Sequence, residues 1–172
     1  AKTILGVDVR KKVILFIQGR YAYERKNIKV LTDYLDSEEA NKDNKLLFIV
    51  VGAQLDSKYK NRPDVTYTYN LKGAKSLRQY YSAADYTCIP SLEENYPNIG
   101  IESALCGTPI IGSNRGGITE QSEIIAGSKT FDPYDPTSFF NLMEVISTTV
   151  TSTHTLEQQQ TLHDSIFNTH NT

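Results

Sequence analysis

The chain has 172 residues, enough for one domain of ordinary size whose core needs neither disulfides nor a metal. Its 39% hydrophobic and 22% charged content is a soluble globular balance. A net charge of -2, with 18 Lys and Arg scattered among 20 Asp and Glu, excludes the basic footprint of a nucleic-acid binder and any general pull toward anionic membranes.

Apolar runs alternate with amphipathic stretches along the chain. KVILFIQG (Lys12–Gly19) reads as a buried strand closed by Gly19. NIKVLTDYL (Asn27–Leu35) has helical spacing, with Asn27 suited to start the helix. EEANKDNK reads as a polar loop. LLFIVVG (Leu46–Gly52) is a second apolar strand closed by glycine, and VTYTY (Val65–Tyr69) is short and β-rich. SLRQYYSAA (Ser76–Ala84) follows as a helix opened by Ser76, and DYTCIPS (Asp85–Ser91) as a strand running into Pro90. NIGIESALCG (Asn98–Gly107) is a helix stopped by Gly107, and TPIIGS (Thr108–Ser113) a strand. GGITEQSEII (Gly116–Ile125) reads as a turn and short helix. A strand near Lys129–Phe131 and a helix near Pro136–Ser147 complete the domain. From residue 148 a Thr-rich linker leads into a polar tail, 151–172, with helical potential. His154, His163 and His170 in that tail lack the Cys or acidic partners of a metal site.

Strands apolar on both faces, alternating with helices, imply a parallel sheet covered on both sides. Right-handed crossovers then make it an α/β, doubly wound, Rossmann-like layer. Such sheets bind ligands beyond the carboxyl ends of their strands. Candidate chemistry is therefore expected after Gly19, Tyr69, Pro90 and Gly112. Cys88 and Cys106 both lie in apolar segments and read as buried free thiols, in keeping with a reducing, cytoplasmic setting. No apolar run has membrane-spanning length and no signal peptide is evident. The opening AKTILG, without methionine, suggests a segment of a longer protein.

Several motifs are missing. There is no GxxxxGK[ST] loop, no GxGxxG after the first strand, no GxSxG elbow and no HExxH. No Asp-x-Asp pair is present to hold a cation against a pyrophosphate, so no metal or other cofactor is expected. A bound diphosphate would have to be balanced by cationic side chains and helix ends.

Three stretches carry candidate chemistry. In GRYAYERKN, Arg20 and Lys26 lie six residues apart, across the loop that follows the first strand. One Arg and one Lys match the charge of a diphosphate, and each charge-assisted bond contributes roughly 1.5–3 kcal/mol. The same residues read equally well as solvated loop charges. In PSLEENYPNIGIESALCGTP, Glu94 and Glu102 are eight residues apart, with Pro97 between them at a helix start. Glu94 then precedes the helix and Glu102 lies within it, about 10 Å away at the helical rise. That span suits one carboxylate on a sugar and the other on a ribose, with the helix N-terminus facing a phosphate between them. A surface Glu at a helix start and a second on a helix face is the plainer reading. In GSNRGGITE, Gly116 and Gly117 permit a tight turn and close backbone approach, while Glu120 opens the next helix.

Together these stretches resemble the C-terminal, donor-binding domain of the retaining GT-B glycosyltransferases, in particular glycosyltransferase family 4 (glycosyltransferase group 1). The resemblance rests on GR…K after the first strand, YYSAADYTCIPS, the E-x7-E of ENYPNIGIESALCGTP, GGITE, and the Asp-Pro helix start of DPYDPTSF. It runs from about Val13 to about Ser147. The family's common Gly-Phe-Gly after the first Glu is replaced here by Asn95-Tyr96-Pro97-Asn98. Glu93 stands beside Glu94, and the x7 spacing selects Glu94.

The resemblance implies one half of a GT-B fold: a nucleotide-sugar-binding Rossmann-like domain over 1–150 and a polar tail over 151–172. It implies that Gly19, Arg20 and Lys26 meet the donor's diphosphate and that Glu94 holds the transferred sugar. Asn95, Tyr96, Pro97 and Asn98 would line the sugar site and Glu102 would bind the ribose. Tyr69, Asn70, Leu71 and Leu77 would border the base. The implied reaction moves a hexose from a nucleotide-diphosphate sugar such as UDP- or GDP-hexose to a hydroxyl with retention of configuration. Arg20 and Lys26 would stabilise the leaving diphosphate and Glu94 would orient the sugar. The implied partners are an N-terminal acceptor-binding domain, through which the protein would meet a membrane surface, and a saccharide or lipid-linked acceptor; no nucleic acid is implied. The domain alone is expected to bind donor without transferring sugar. Two alternatives remain: a non-catalytic nucleotide-sugar-binding module and a GT-B-like sugar epimerase.

Overall fold

The computed structural model describes residues 2–18, 23–42, 44–52, 55–68 and 74–149. Six strands form a single sheet: β1 (Lys12–Ile17), β2 (Leu46–Val51), β3 (Val65–Thr68), β4 (Tyr86–Ile89), β5 (Ile110–Ser113) and β6 (Lys129–Phe131). Every pairing is parallel, and the spatial order is β3-β2-β1-β4-β5-β6. The doubly wound expectation holds. The order reverses between β1 and β4, which makes the gap beyond their carboxyl ends the topological switch point.

The central strands are apolar on both faces because both faces are covered. Along β1, Ile14 and Phe16 join one core with Leu31, Phe139 and Met143, while Val13 and Leu15 join the opposite core with Tyr81. The first core is roofed by helices α2 (Lys29–Leu35), α3 (Glu38–Lys42) and α7 (Pro136–Thr148). The opposite face carries α4 (Ala74–Ala83), α5 (Asn98–Leu105) and α6 (Gly116–Ile124). Tyr34 of α2 meets Phe48, Phe139 and Phe140 edge-on at 5.6, 5.9 and 5.4 Å between ring centroids, and Phe131 meets Phe139 at 5.1 Å. Edge-on geometry of this kind adds about 0.5–1.5 kcal/mol per pair beyond burial.

Four local features differ from the sequence reading. The EEANKDNK stretch holds a helix over Glu38–Lys42, not only a loop. Its acidic first turn suits the helix dipole, Ala40 is buried, and Lys42 pairs with Glu38 one turn away. Asn27 does not cap α2, whose N-cap residue is Ile28. Asn27 sits at φ 48 between α1 (Tyr23–Lys26) and α2, a left-handed turn that Asn tolerates better than most residues. Glu120 lies in the second turn of α6, exposed, so it does not open that helix. Ser76, expected to open a helix, is instead the third residue of α4, which starts at Ala74. The expected ends at Gly107 and Asp135 hold. Gly107 takes φ 74 just past α5, where Thr108 N donates to Ser103 O and Gly107 N to Ala104 O. Asp135 caps α7 by accepting from Thr137 N at 2.9 Å, with Pro136 in the first turn. Cys88 is buried and Cys106 half-buried, both as free thiols. Burial raises the pKa of each. The tail over 151–172 lies outside the described residues.

Candidate functional site

Two segments meet at the switch point: the one that follows β1 and the one that follows β4. Helix α1 is joined to the post-β4 loop by its backbone, since Leu92 N donates to Arg25 O at 2.9 Å. Arg25 Nη1 donates to Glu93 O at 3.2 Å and lies 3.4 Å from Glu94 Oε2. Lys26 Nζ is hydrogen-bonded and ion-paired to Glu94 Oε1. Both members of this pair are largely withdrawn from solvent, with side chains 18% and 12% exposed. Arg25 is more open. Burial pushes the Glu94 carboxyl up, yet the Lys26 hydrogen bond and the charges of Lys26 and Arg25 outweigh it and hold the group below its ordinary value. Glu94 is therefore a carboxylate throughout the neutral range.

The loop that carries Glu94 is held from the other side by the glycine pair. Gly117 N donates to Glu94 O at 3.1 Å. A Cβ on Gly117 would lie 1.6 Å from Asn95 O, and one on Gly116, already at φ +49, would lie 2.5 Å from Glu94 O. These positions have no room for a side chain, which is the physical content of the GG in GGITE. Beside the loop opens a 450 Å³ cleft lined by Leu92, Glu93, Glu94, Asn95, Arg115, Gly116 and Tyr134. Its volume is within the range of small-molecule sites. On its far wall the Arg115 guanidinium lies 4.9 Å from the Tyr134 ring centroid and 3.3 Å from Asp132 Oδ1.

Helix α5 starts directly after this loop. Pro97 is its N-cap residue in an extended conformation, and its carbonyl accepts from Gln121 Nε2 at 3.0 Å. Gly100 allows that contact, because a Cβ there would lie 2.1 Å from Gln121 Oε1. Asn95, Tyr96 and Asn98 are exposed around the start of the helix, whose first N–H groups favour an anion. Glu102 lies one turn further along α5, exposed, and its Oε2 accepts from the buried Tyr81 hydroxyl of α4 at 2.8 Å. Leu77, half-buried, sits one turn before Tyr81 on the same face of α4.

The structure thus brings Lys26 and Glu94 into direct contact and sets Asn95, Tyr96 and Pro97 between Glu94 and α5, which opens at Asn98 and bears Glu102. Gly19, Arg20, Tyr69, Asn70 and Leu71 lie outside the described residues. Sequence reasoning passed over Arg25, Tyr81, Arg115 and Tyr134. Arg25 stood in plain view beside Lys26. The others become neighbours of the site only through folding.

A sequence model of the family described as Glycosyl transferases group 1 matches residues 11–148, which covers all six strands. The chain belongs to this family. A curated relative, the D-inositol 3-phosphate glycosyltransferase of Pseudarthrobacter chlorophenolicus, is 28% identical over 114 residues, covering 66% of this chain and 24% of the relative. The chain thus spans about a quarter of that relative's length. Among solved structures, sucrose-phosphate synthase from Thermosynechococcus elongatus superposes with a TM-score of 0.74 at 20% identity, over 97% of this chain and 43% of the other. Anabaena HepE, solved with UDP and glucose, superposes with a TM-score of 0.67 at 18% identity, over 94% and 43%. At these identities the likeness is one of fold: the group 1 glycosyltransferase chain has the Rossmann-like parallel sheet of the GT-B glycosyltransferases.

Proposed function

We propose that this chain is the C-terminal, donor-binding domain of a retaining, family 4 glycosyltransferase, taking up a nucleotide-diphosphate hexose at the switch point between β1 and β4. The observation that carries the reading is the Lys26–Glu94 pair. It places a cation and a hydroxyl-accepting carboxylate together at the edge where doubly wound sheets bind their ligands. Lys26, with Arg25 beside it and Arg20 six residues earlier in the sequence, balances the diphosphate without a metal. Charge grows on the leaving diphosphate as the anomeric bond breaks, so these cations hold the transition state more strongly than the ground state. Glu94, kept ionised, accepts hydroxyl hydrogen bonds from the transferred sugar and orients it. Asn95, Tyr96, Pro97 and Asn98 line that site, and the start of α5 faces the phosphates. Glu102 accepts from the ribose and Leu77 borders the base. That Anabaena HepE was solved with UDP and glucose favours the same ligand class.

The acceptor hydroxyl and the closing wall come from an N-terminal acceptor-binding domain, with a saccharide or a lipid-linked acceptor as second substrate. In this reading the protein works in the cytoplasm, and the domain over 1–150 binds donor without transferring it. The experiment is a calorimetric titration of the chain with UDP-, GDP- and ADP-hexoses. Saturable binding of one series, stronger than that of its free hexose, is expected. Absence of binding in all three would overturn the reading.

A further inference from the structure

Tyr81 is 2% exposed, yet its hydroxyl reaches out of the core to an exposed carboxylate. We propose that Tyr81 is a positioning residue for Glu102, fixing one carboxylate oxygen so that the other is presented to the sugar hydroxyls of a nucleoside diphosphate. The inference rests on the donor reading of Glu102 given above and adds the residue that makes its contact selective.

A glutamate on the open face of a helix samples many rotamers, and holding it on a ligand costs side-chain entropy. The 2.8 Å bond from Tyr81 to Oε2 meets much of that requirement before any ligand arrives. Tyr81 is itself tied at its other end. Its carbonyl accepts from Thr108 Oγ1 at 2.7 Å, and the Thr108 carbonyl accepts from Ser103 Oγ at 2.8 Å. Ser103 also shares a 2.7 Å hydroxyl–hydroxyl bond with Thr87 of β4. Ser103 follows Glu102 on α5, so the links close a circuit: Tyr81 to Glu102, along the helix to Ser103, to Thr108 and back to Tyr81. All of its hydroxyl donors are buried. Burial, and then the neighbouring Glu102 carboxylate, push the Tyr81 phenol far above its ordinary range, so it remains a donor at every working pH. Oε2 is then committed to Tyr81, and Oε1 is left for the ligand. Leu77, one turn earlier on the same face of α4, stands where a base would follow the ribose.

The test measures binding of the tightest of UDP, GDP and ADP against its 2′-deoxy and 3′-deoxy counterparts, in the whole chain and in Tyr81→Phe. The unaltered protein is expected to prefer the ribonucleotide by roughly tenfold or more, the size of one hydrogen bond to a charged group. Tyr81→Phe is expected to reduce that ratio to about twofold while affinity for the deoxy forms stays nearly constant. Should Tyr81→Phe fail to fold, Thr108→Val removes one of the two donors to the Tyr81 carbonyl, leaving Ala84 N, and keeps Glu102 in place; its ratio is expected to fall in the same direction. A preference retained in full by either folded variant overturns the role of Tyr81. Nucleotide binding with no ribose preference in the unaltered protein overturns the Glu102 reading as well.

Discussion

Lys26 and Glu94, 68 residues apart in sequence, form a largely buried ion pair beside the switch point of the sheet. The contact joins the segment after β1 to the segment after β4, and Arg25 reinforces it through Glu93 O and Glu94 Oε2. A cation, a carboxylate and a helix N-terminus are thereby assembled before any ligand binds. Preorganisation of this kind is what an electrostatic site requires.

The pair sets the titration of Glu94. Its folded pKa is depressed, so it contributes stability above the ordinary glutamate value of 4.5 and loses that contribution as the pH falls through the folded value. In Lys26→Met, burial acts against only the more exposed Arg25 and the smaller influence of the Ser91 side chain. The Glu94 pKa is then expected to rise above 4.5, reversing the sign of its contribution, so that this variant gains relative stability on acidification. Carbon-13 titration of the glutamate carboxyls checks this. An unchanged Glu94 titration in Lys26→Met would show that the pair does not control it.

Among the described residues of the site, Gly117 is the most sterically confined glycine. Gly117→Ala is expected to destabilise the chain by about 1–3 kcal/mol or to displace the 94–96 loop, since the new Cβ would overlap Asn95 O. Thermal denaturation measures the first effect, and amide shifts of Asn95 and Tyr96 measure the second. A variant with native stability and native shifts would contradict the close approach.

Away from the site, the aromatic cluster governs stability. Phe139 is fully buried against Tyr34 and Phe131, and Phe139→Ala is expected to cost about 3–5 kcal/mol in urea denaturation. Val145, on the open face of the same helix, gives the contrast: Val145→Ala is expected to stay within about 0.5 kcal/mol. Equal losses would mean that α7 does not seat as described.

The sheet was legible because β1 and β2 are buried on both faces and read as nearly continuous apolar runs, while β4 and β5 are short segments buried almost throughout. Gly107, Asp135 and Pro136 marked helix ends through local chemistry that needs no tertiary contact. The helix over Glu38–Lys42 was hidden because it buries only Ala40, leaving no apolar stripe to detect. Asn27 looked like a cap because Asn serves equally at helix starts and in left-handed turns. At the site, spacing separated Glu94 from Glu93 and pointed to Lys26. It did not reveal that Arg25 would share the carboxylate, since adjacent charges differ only in the direction the fold gives them. The Tyr81–Glu102 bond spans 21 residues, and the Arg115–Tyr134 stack spans a strand. Both depend on how α4, α5, α6 and the post-β6 turn are set against the sheet, which no local pattern encodes.

The most direct measurement compares Lys26→Ala with the unaltered chain for two ligands: the preferred nucleoside diphosphate and the same nucleoside without phosphate. Loss of a charge-assisted phosphate bond predicts that the diphosphate weakens by roughly tenfold or more while the nucleoside changes little. Equal weakening of both, or of neither, would contradict a diphosphate site at the Lys26–Glu94 pair.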